Sequence, residues 1–170
     1  MATTYKLISS VTVGSGGAAD ITFSSIPATY TDLVIKGSFR GVGTGSPNIA
    51  LDINGASTNR TMRWLQGNGA GSVTSYNFTT ADIATANTTT QTANTFGNLE
   101  VYIPNYAGAN NKSFSVDSVQ ENNASATATY AELFAGLWSV ASAITTLKLY
   151  INGQNLGQYS TAYLYGISNA

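Results

Sequence analysis

The sequence predicts an all-β protein, a jelly-roll-like antiparallel β-sandwich that forms a single domain over residues 1–170. Three observations predict it. Short runs alternate between apolar and polar residues with a period of two, which is typical of strands. These runs recur at the spacing of about 8–12 residues found in sandwiches and barrels. No stretch carries the long 3.6-residue periodicity of a helix. A two-sheet jelly roll protects its edges better than one open sheet does, and it fits this length.

The first half of the chain supplies six predicted strands, separated by glycine-rich and asparagine-rich turns. The Gly-rich residues 14–17 predict a hairpin turn, and Asn54-Gly55 is the strongest short hairpin signal in the chain. Pro27 cannot donate to a ladder and therefore lies in a connection. The predicted strands cover residues 5–13, 20–23, 32–40, 49–53, 60–65 and 76–78.

The second half supplies five further candidate runs, and about nine or ten of the eleven are expected to form strands. They cover residues 96–103, 112–120, 130–140, 144–151 and 159–167. The last two follow each other closely and predict an antiparallel pair, with Leu147, Leu149 and Ile151 alternating in the first of them. Both are apolar on two faces, so the pair is expected inside a sheet. Residues 80–95 are rich in Thr, Ala and Asn and predict a long excursion, with one helical turn near 81–86.

Charge is unusually sparse. Charged residues make up 9% of the chain and the net charge is -1, whereas soluble domains average about 25% charged residues. A neutral polar surface is typical of a protein that hides much of its surface in an assembly. Among the seven basic residues, Arg60 and Arg63 are the one close pair, which predicts no nucleic-acid partner. No apolar run approaches the ~18 residues of a membrane span, and no export signal is evident at residues 1–8, so synthesis in the host cytoplasm is expected.

The residue types exclude several chemistries. There is no cysteine and no histidine, which rules out disulfides, thiolate zinc sites and histidine-dependent nucleophiles. Asp117 and Glu121 are the acids closest to the spacing of a glycosidase pair, but any β-rich chain with eight acids offers similar pairs. The sequence therefore predicts no enzyme, no catalytic residue, no metal and no cofactor. A polysaccharide-cleaving enzyme is the weakest of the hypotheses considered.

The aromatic residues have two interpretations. Two tryptophans and ten tyrosines could form stacking platforms for sugar rings, or they could fill the core and subunit interfaces. The second interpretation is preferred for most of them. Tyr76, Tyr106 and Tyr130 lie at the edges of predicted loops and are the candidates for outward contact.

Three segments resemble small structural proteins of tailed bacteriophages, in particular phages of cyanobacteria and other aquatic bacteria. They are residues 5–14 (YKLISSVTVG), 21–33 (ITFSSIPATYTDL) and 158–167 (QYSTAYLYGI). The likeness is firm at the two ends of the chain and loose across residues 41–95. It implies a virion component and carries no catalytic residue.

The leading hypothesis is a capsid decoration, or cement, protein that assembles as a homotrimer. It would lie on the outer capsid surface of the virion and bind the major capsid protein, clipping neighbouring subunits together. The expected contacts are the N-terminal residues 1–7, with Met1, Thr3 and Tyr5, and the loop 80–95, with Thr88 at its centre. The alternative is a tail-fibre or receptor-binding module that recognises host surface glycan through exposed aromatic residues clustered at one end of the sandwich.

Overall fold

The computed structural model describes residues 4–123 and 129–168, and within them the chain forms twelve strands and no helix. The strands are β1 (Tyr5–Thr12), β2 (Asp20–Phe23), β3 (Asp32–Phe39), β4 (Asn48–Ile53), β5 (Arg60–Gly67), β6 (Val73–Phe78), β7 (Asp82–Thr85), β8 (Gly97–Ile103), β9 (Lys112–Gln120), β10 (Tyr130–Trp138), β11 (Leu147–Ile151) and β12 (Thr161–Ile167).

Two antiparallel sheets contain all of these strands. The large sheet has the order β1-β12-β3-β8-β9-β10-β5-β6, and the small sheet has the order β2-β11-β4-β7. The chain crosses between the sheets eight times, after β1, β2, β3, β4, β6, β7, β10 and β11. The half-sheet β1-β12-β3-β8 and the small sheet thus have the strand order of a jelly roll. The predicted jelly-roll-like sandwich is confirmed.

Two insertions enlarge one sheet of this jelly roll. The pair β5 and β6 lies between β4 and β7 in the chain, and the pair β9 and β10 lies between β8 and β11. In space the four strands continue the large sheet beyond β8, in the order β9-β10-β5-β6. We call these four strands the extension. The small sheet has no corresponding strands, so the large sheet reaches past the small sheet's edge strand, β7.

Alternating apolar side chains form one core between the sheets. In β11, Leu147, Leu149 and Ile151 are buried, and Leu147 and Leu149 lie in register with Ile53 and Leu51 of β4. Leu33 and Ile35 of β3 supply the same alternation from the large sheet. Each such side chain stabilises the fold by about 1.5–3 kcal/mol through removal of apolar area from water.

The predicted pairing of the last two strands is wrong. β11 lies between β2 and β4 in the small sheet, whereas β12 lies between β1 and β3 in the large sheet. The turns at 14–17 and at Asn54-Gly55 likewise join strands of different sheets, so neither makes a hairpin ladder. Asn54 and Gly55 do form a tight turn, with φ of 51° and 76°, closed by mutual hydrogen bonds between Ile53 and Ala56. Turn residues specify a local reversal of the chain, but they do not specify which strands pair.

The stretch 80–95 is not a loose excursion and contains no helical turn. β7 occupies Asp82–Thr85, and Ile83 is fully buried. Beyond β7, Arg40 holds the chain by donating hydrogen bonds from its guanidinium to the carbonyl oxygens of Thr92 and Thr95, at 3.0 and 2.7 Å. Small polar side chains suit this segment because their hydrogen bonds are made inside the protein.

Gly166 in β12 marks a close contact that the fold requires. A Cβ atom at this position would lie 2.3–2.6 Å from Cγ, Cδ1 and Cδ2 of the Tyr30 ring. These atoms are near the base of the side chain, so the ring has little freedom to move away. We expect Gly166→Ala to lower the free energy of unfolding by about 1–3 kcal/mol, the usual cost of overpacking, as measured by urea denaturation. Gly14→Ala, where a Cβ meets nothing within 4 Å, is the matched control. Equal midpoints for the two variants would contradict this packing.

Candidate functional site

The extension has two faces with different chemistry. In β10, Glu132, Phe134 and Trp138 are buried on the inner face, the side on which the small sheet packs. The intervening residues Ala131, Leu133, Ala135 and Leu137 lie on the outer face and are exposed. A strand that is apolar on both faces is usually covered on both, but none of the residues in 4–123 and 129–168 forms a layer over the outer face here.

The outer face carries a cluster of large apolar side chains, which we call the outer patch: Leu65, Val73 and Leu133. Their exposed fractions are 44%, 70% and 53%. Leu65 and Leu133 are direct cross-strand partners, and Val73 lies opposite Gly67. Exposed apolar side chains that adjoin one another, unlike scattered ones, mark interaction surfaces.

An aromatic row crosses the inner face. Phe134 of β10, Trp64 of β5 and Tyr76 of β6 are consecutive cross-strand partners. The Trp64 ring stacks on Tyr76, with centroids 5.7 Å apart and planes at 20°, and on Phe134, with centroids 6.2 Å apart and planes at 26°. Phe78 meets Phe134 edge to face at 6.2 Å. These are favourable geometries for aromatic pairs, so the row is a stable unit.

A groove lies between the aromatic row and the edge of the small sheet. Its volume is about 350 Å³, and Asp82, Ala84 and Asn48 line it opposite the rings of Trp64 and Tyr76. Thr80 donates to one Asp82 carboxylate oxygen at 2.8 Å, and Asn152 donates to the other at 2.6 Å. The Asp82 carboxylate is therefore fixed in orientation while its side chain stays partly exposed.

The buried carboxylate of Glu132 holds the extension against β7. One oxygen accepts from Trp64 Nε1 at 3.2 Å, Gln66 Nε2 at 2.9 Å and Thr85 Oγ1 at 3.0 Å. The other accepts from the Thr85 backbone N–H at 2.8 Å and from Ser118 Oγ at 2.9 Å. Five donors thus compensate the burial of one charge. They also fix the Trp64 indole and satisfy a backbone donor of the edge strand β7.

Arg60 joins the other end of the extension to the small sheet. Its side chain is 3% exposed and donates to the carbonyl oxygens of Leu51 at 2.7 Å and Ala56 at 2.9 Å. Burial lowers the pKa of the Arg60 guanidinium, and the nearby carboxylate of Asp52 opposes that effect. Polar contacts therefore join the extension to the small sheet at two places, through Glu132 and through Arg60.

The structure places the predicted contact residues far apart. Tyr76 is 59% exposed and lies in the groove, and Tyr130 is half-buried at the start of β10. Tyr5 is exposed on β1, the opposite edge of the large sheet, where its ring meets Tyr165 edge to face at 6.4 Å. Six strands lie between β1 and β6, which places these two edges roughly 30 Å apart, so Tyr5 and Tyr76 cannot share one site. Met1 and Thr3 lie outside the described residues.

Two of the predicted outward contacts are wrong, because both side chains are completely buried. Tyr106 donates its hydroxyl to the Pro27 carbonyl and packs in the core, and burial raises the pKa of this phenol. Thr88 donates its hydroxyl to the Gly45 carbonyl at 2.6 Å, and its backbone N–H donates to Gln91 Oε1 at 2.6 Å. In both cases a polar group that suggested a surface position is satisfied inside the protein.

The acid pair considered in the sequence is not part of the groove. Asp117 lies on the outer face of β9, and the Glu121 carboxylate accepts the backbone N–H groups of Asn122 and Asn123, both at 2.8 Å. Sequence reasoning gave Glu132 and Phe134 no role at the site. The sequence signal that could have identified this region is the run 131–138, in which apolar residues occupy both faces of a single strand. Within residues 4–123 and 129–168, no group of three or more acids could hold a metal ion.

Comparisons of the chain with family models, with curated proteins and with solved structures found no match. In the part of the chain that the structure describes, no helix is long and apolar enough to cross a membrane. The geometry of the extension is therefore the main structural evidence on function.

Glu132 provides a direct test of how the extension is attached. We expect Glu132→Ala to lower the free energy of unfolding by about 2–4 kcal/mol, because it leaves buried donors of Thr85 and Ser118 without an acceptor. Urea denaturation measures this. Glu100→Ala is the control, since it removes a solvent-exposed pair with Lys36 and should leave the midpoint nearly unchanged. Similar small effects in both variants would show that the Glu132 network does not stabilise the attachment.

Proposed function

We propose that the protein is a capsid decoration protein of a tailed bacteriophage, which binds the outer surface of the major capsid protein lattice and stabilises it. The observation that carries the proposal is the outer patch, an exposed apolar surface on a rigid sheet. The proposal assigns the outer patch to contact with the capsid lattice. Self-association as a homotrimer belongs to the same proposal, and light scattering should then give three times the chain mass of 17.7 kDa.

The outer patch has the composition of an interface core. Leu65, Leu133 and Val73 are apolar, and the charged side chains on the outer face, Arg63 and Asp117, lie beside the cluster. Interface cores are depleted in charge and enriched in apolar contact area, whereas their rims are polar. The patch therefore supports a docking role better than a solvated one.

The rest of the molecule supports a mechanical role. The jelly roll is held by one contiguous core and by ladders between strands distant in the chain, such as β1 with β12. A net charge of -1 gives little long-range repulsion between copies packed side by side on a lattice. A rigid clip of this kind would strengthen a thin shell under internal pressure by bridging adjacent subunits.

The resemblance to phage structural proteins falls on one end of the sandwich. Its three segments contain β1, β2 and β12 and reach the start of β3, and β1, β12 and β3 are neighbours in the large sheet. The loosely similar residues 41–95 contain β5 and β6, which form the outer half of the extension. A shared scaffold with a variable docking surface is consistent with a virion protein adapted to its own particle.

The proposal predicts a constant ratio of this protein to the major capsid protein in purified particles, measured by quantitative mass spectrometry. We expect Leu133→Asp to lower that ratio by about tenfold or more, because it places a second carboxylate beside Asp117, the partner of Leu133 on β9, and puts an unpaired charge into the apolar contact with Leu65. Val42→Asp is the matched control, since Val42 is 49% exposed but lies in the loop between β3 and β4.

The outcomes separate the candidate functions. A handful of copies per particle would contradict decoration and would favour the alternative, a tail-fibre or receptor-binding module. Equal loss of binding in Leu133→Asp and Val42→Asp, or no loss in either, would show that the outer patch is not the docking surface. Circular dichroism of both variants establishes that each remains folded.

A further inference from the structure

The groove on the inner face is distinct from the outer patch and faces the opposite way. Its floor is the aromatic row, which ends at Tyr76 on the edge strand β6. Among the described residues β6 is the last strand at this edge of the sheet, and Tyr76 is 59% exposed although its ring stacks on Trp64. The exposed Tyr76 ring, at the end of the row, is therefore accessible for stacking on a flat group of a ligand.

Directional polar groups surround this apolar floor. Asp82, Asn48 and Thr80, with a carboxylate, an amide and a hydroxyl, line the groove. Carboxylates and amides together offer both acceptors and donors to a ligand rich in hydroxyl groups. A flat apolar floor beneath such groups matches a pyranose, which has an apolar C–H face and a rim of hydroxyls.

Hydrogen bonds within the protein hold the side chains of the groove in place. Glu132 fixes the Trp64 indole at 3.2 Å, and Thr80 and Asn152 fix the two oxygens of Asp82. Side chains held in this way lose little conformational entropy on binding, which favours affinity for a small ligand. A volume of about 350 Å³ is near the lower end for small-molecule pockets and fits one or two sugar rings.

The charge of the groove restricts the class of sugar. Among the described residues that line it, two are acidic and none is basic. A uronic or sialic acid would bring another negative charge next to Asp82 with no basic side chain in the groove lining to pair with it, because the nearby Arg60 guanidinium is buried and donates to backbone carbonyl oxygens. This disfavours binding. Neutral hexoses and N-acetylated hexosamines have no such penalty.

We propose that the groove between the aromatic row and β7 is a binding site for a neutral saccharide, with Tyr76 and Trp64 as the stacking surface and Asp82 as an acceptor for hydroxyl groups. The site does not depend on attachment to a capsid, because it uses the opposite face of the same strands. A decoration protein with this site would carry a sugar-binding function in addition to its structural one.

The test titrates the isolated full chain with glucose, galactose, mannose, N-acetylglucosamine and glucuronic acid, and with the disaccharides of the neutral sugars. Calorimetry measures binding, and tryptophan fluorescence locates it, because Trp64 lines the groove while Trp138 is 2% exposed. We expect at least one neutral sugar to bind and to change the emission, and glucuronic acid to bind at least about tenfold more weakly.

Matched variants locate the site. Tyr76→Ala and Asp82→Asn should each weaken binding by about tenfold or more. Tyr163→Ala controls for loss of an exposed tyrosine elsewhere on the large sheet. Asp20→Asn controls for Asp82→Asn, because Asp20 also begins a strand and accepts a threonine hydroxyl two residues away, at 2.9 Å. The proposal is overturned if no neutral sugar binds, if glucuronic acid binds as tightly as the best neutral sugar, or if the groove variants bind as well as the controls.

Discussion

The large sheet has eight strands and the small sheet has four, so the large sheet reaches past the edge of the small sheet at β7. This mismatch shapes the extension. The half-sheet β1-β12-β3-β8 is covered and forms the core of a jelly roll. The extension joins the same core through part of its inner face, where Phe114, Val116 and Phe134 are buried, while Tyr76 at the outer end of that face stays exposed. The groove is therefore a consequence of this architecture, and the outer patch lies on the opposite face, away from the small sheet.

Attachment at the margin with β7 combines apolar packing of β9 and β10 with polar contacts. Glu132 accepts from Thr85 on β7, and Arg60 donates to Leu51 on β4, so charged groups at two places join the extension to the small sheet. Buried charges need several well-placed partners, which makes the geometry at this margin specific. Because Glu132 also holds Trp64, the contact that attaches the extension also orients the groove. The Glu132 hydrogen bonds therefore couple the stability of the extension to the geometry of the groove.

The sequence predicts the strands well because period-two alternation is a local property. Leu147, Leu149 and Ile151 reveal β11 and its buried face without any knowledge of its neighbours. Pairing is not local, and the predicted antiparallel pair of β11 with β12 is wrong because each finds partners far away in the chain. For the same reason Tyr76 could be identified as an outward aromatic, but its stacking on Trp64 beside Glu132 could not, since Glu132 is 68 residues from Trp64. Thr88 and Tyr106 were misplaced because a buried, satisfied polar group looks like a surface residue in sequence.

The absence of cysteine makes one measurement especially direct, because a single introduced thiol reports on one position. Leu133→Cys places it in the outer patch, and Val42→Cys places it on a loop outside the extension. The account predicts that both thiols react with a maleimide at similar rates in the unassembled protein. In intact particles Leu133→Cys should become strongly protected, while Val42→Cys keeps its rate. Equal reactivity of Leu133→Cys in the two states would contradict the claim that the outer patch is the surface through which the protein assembles.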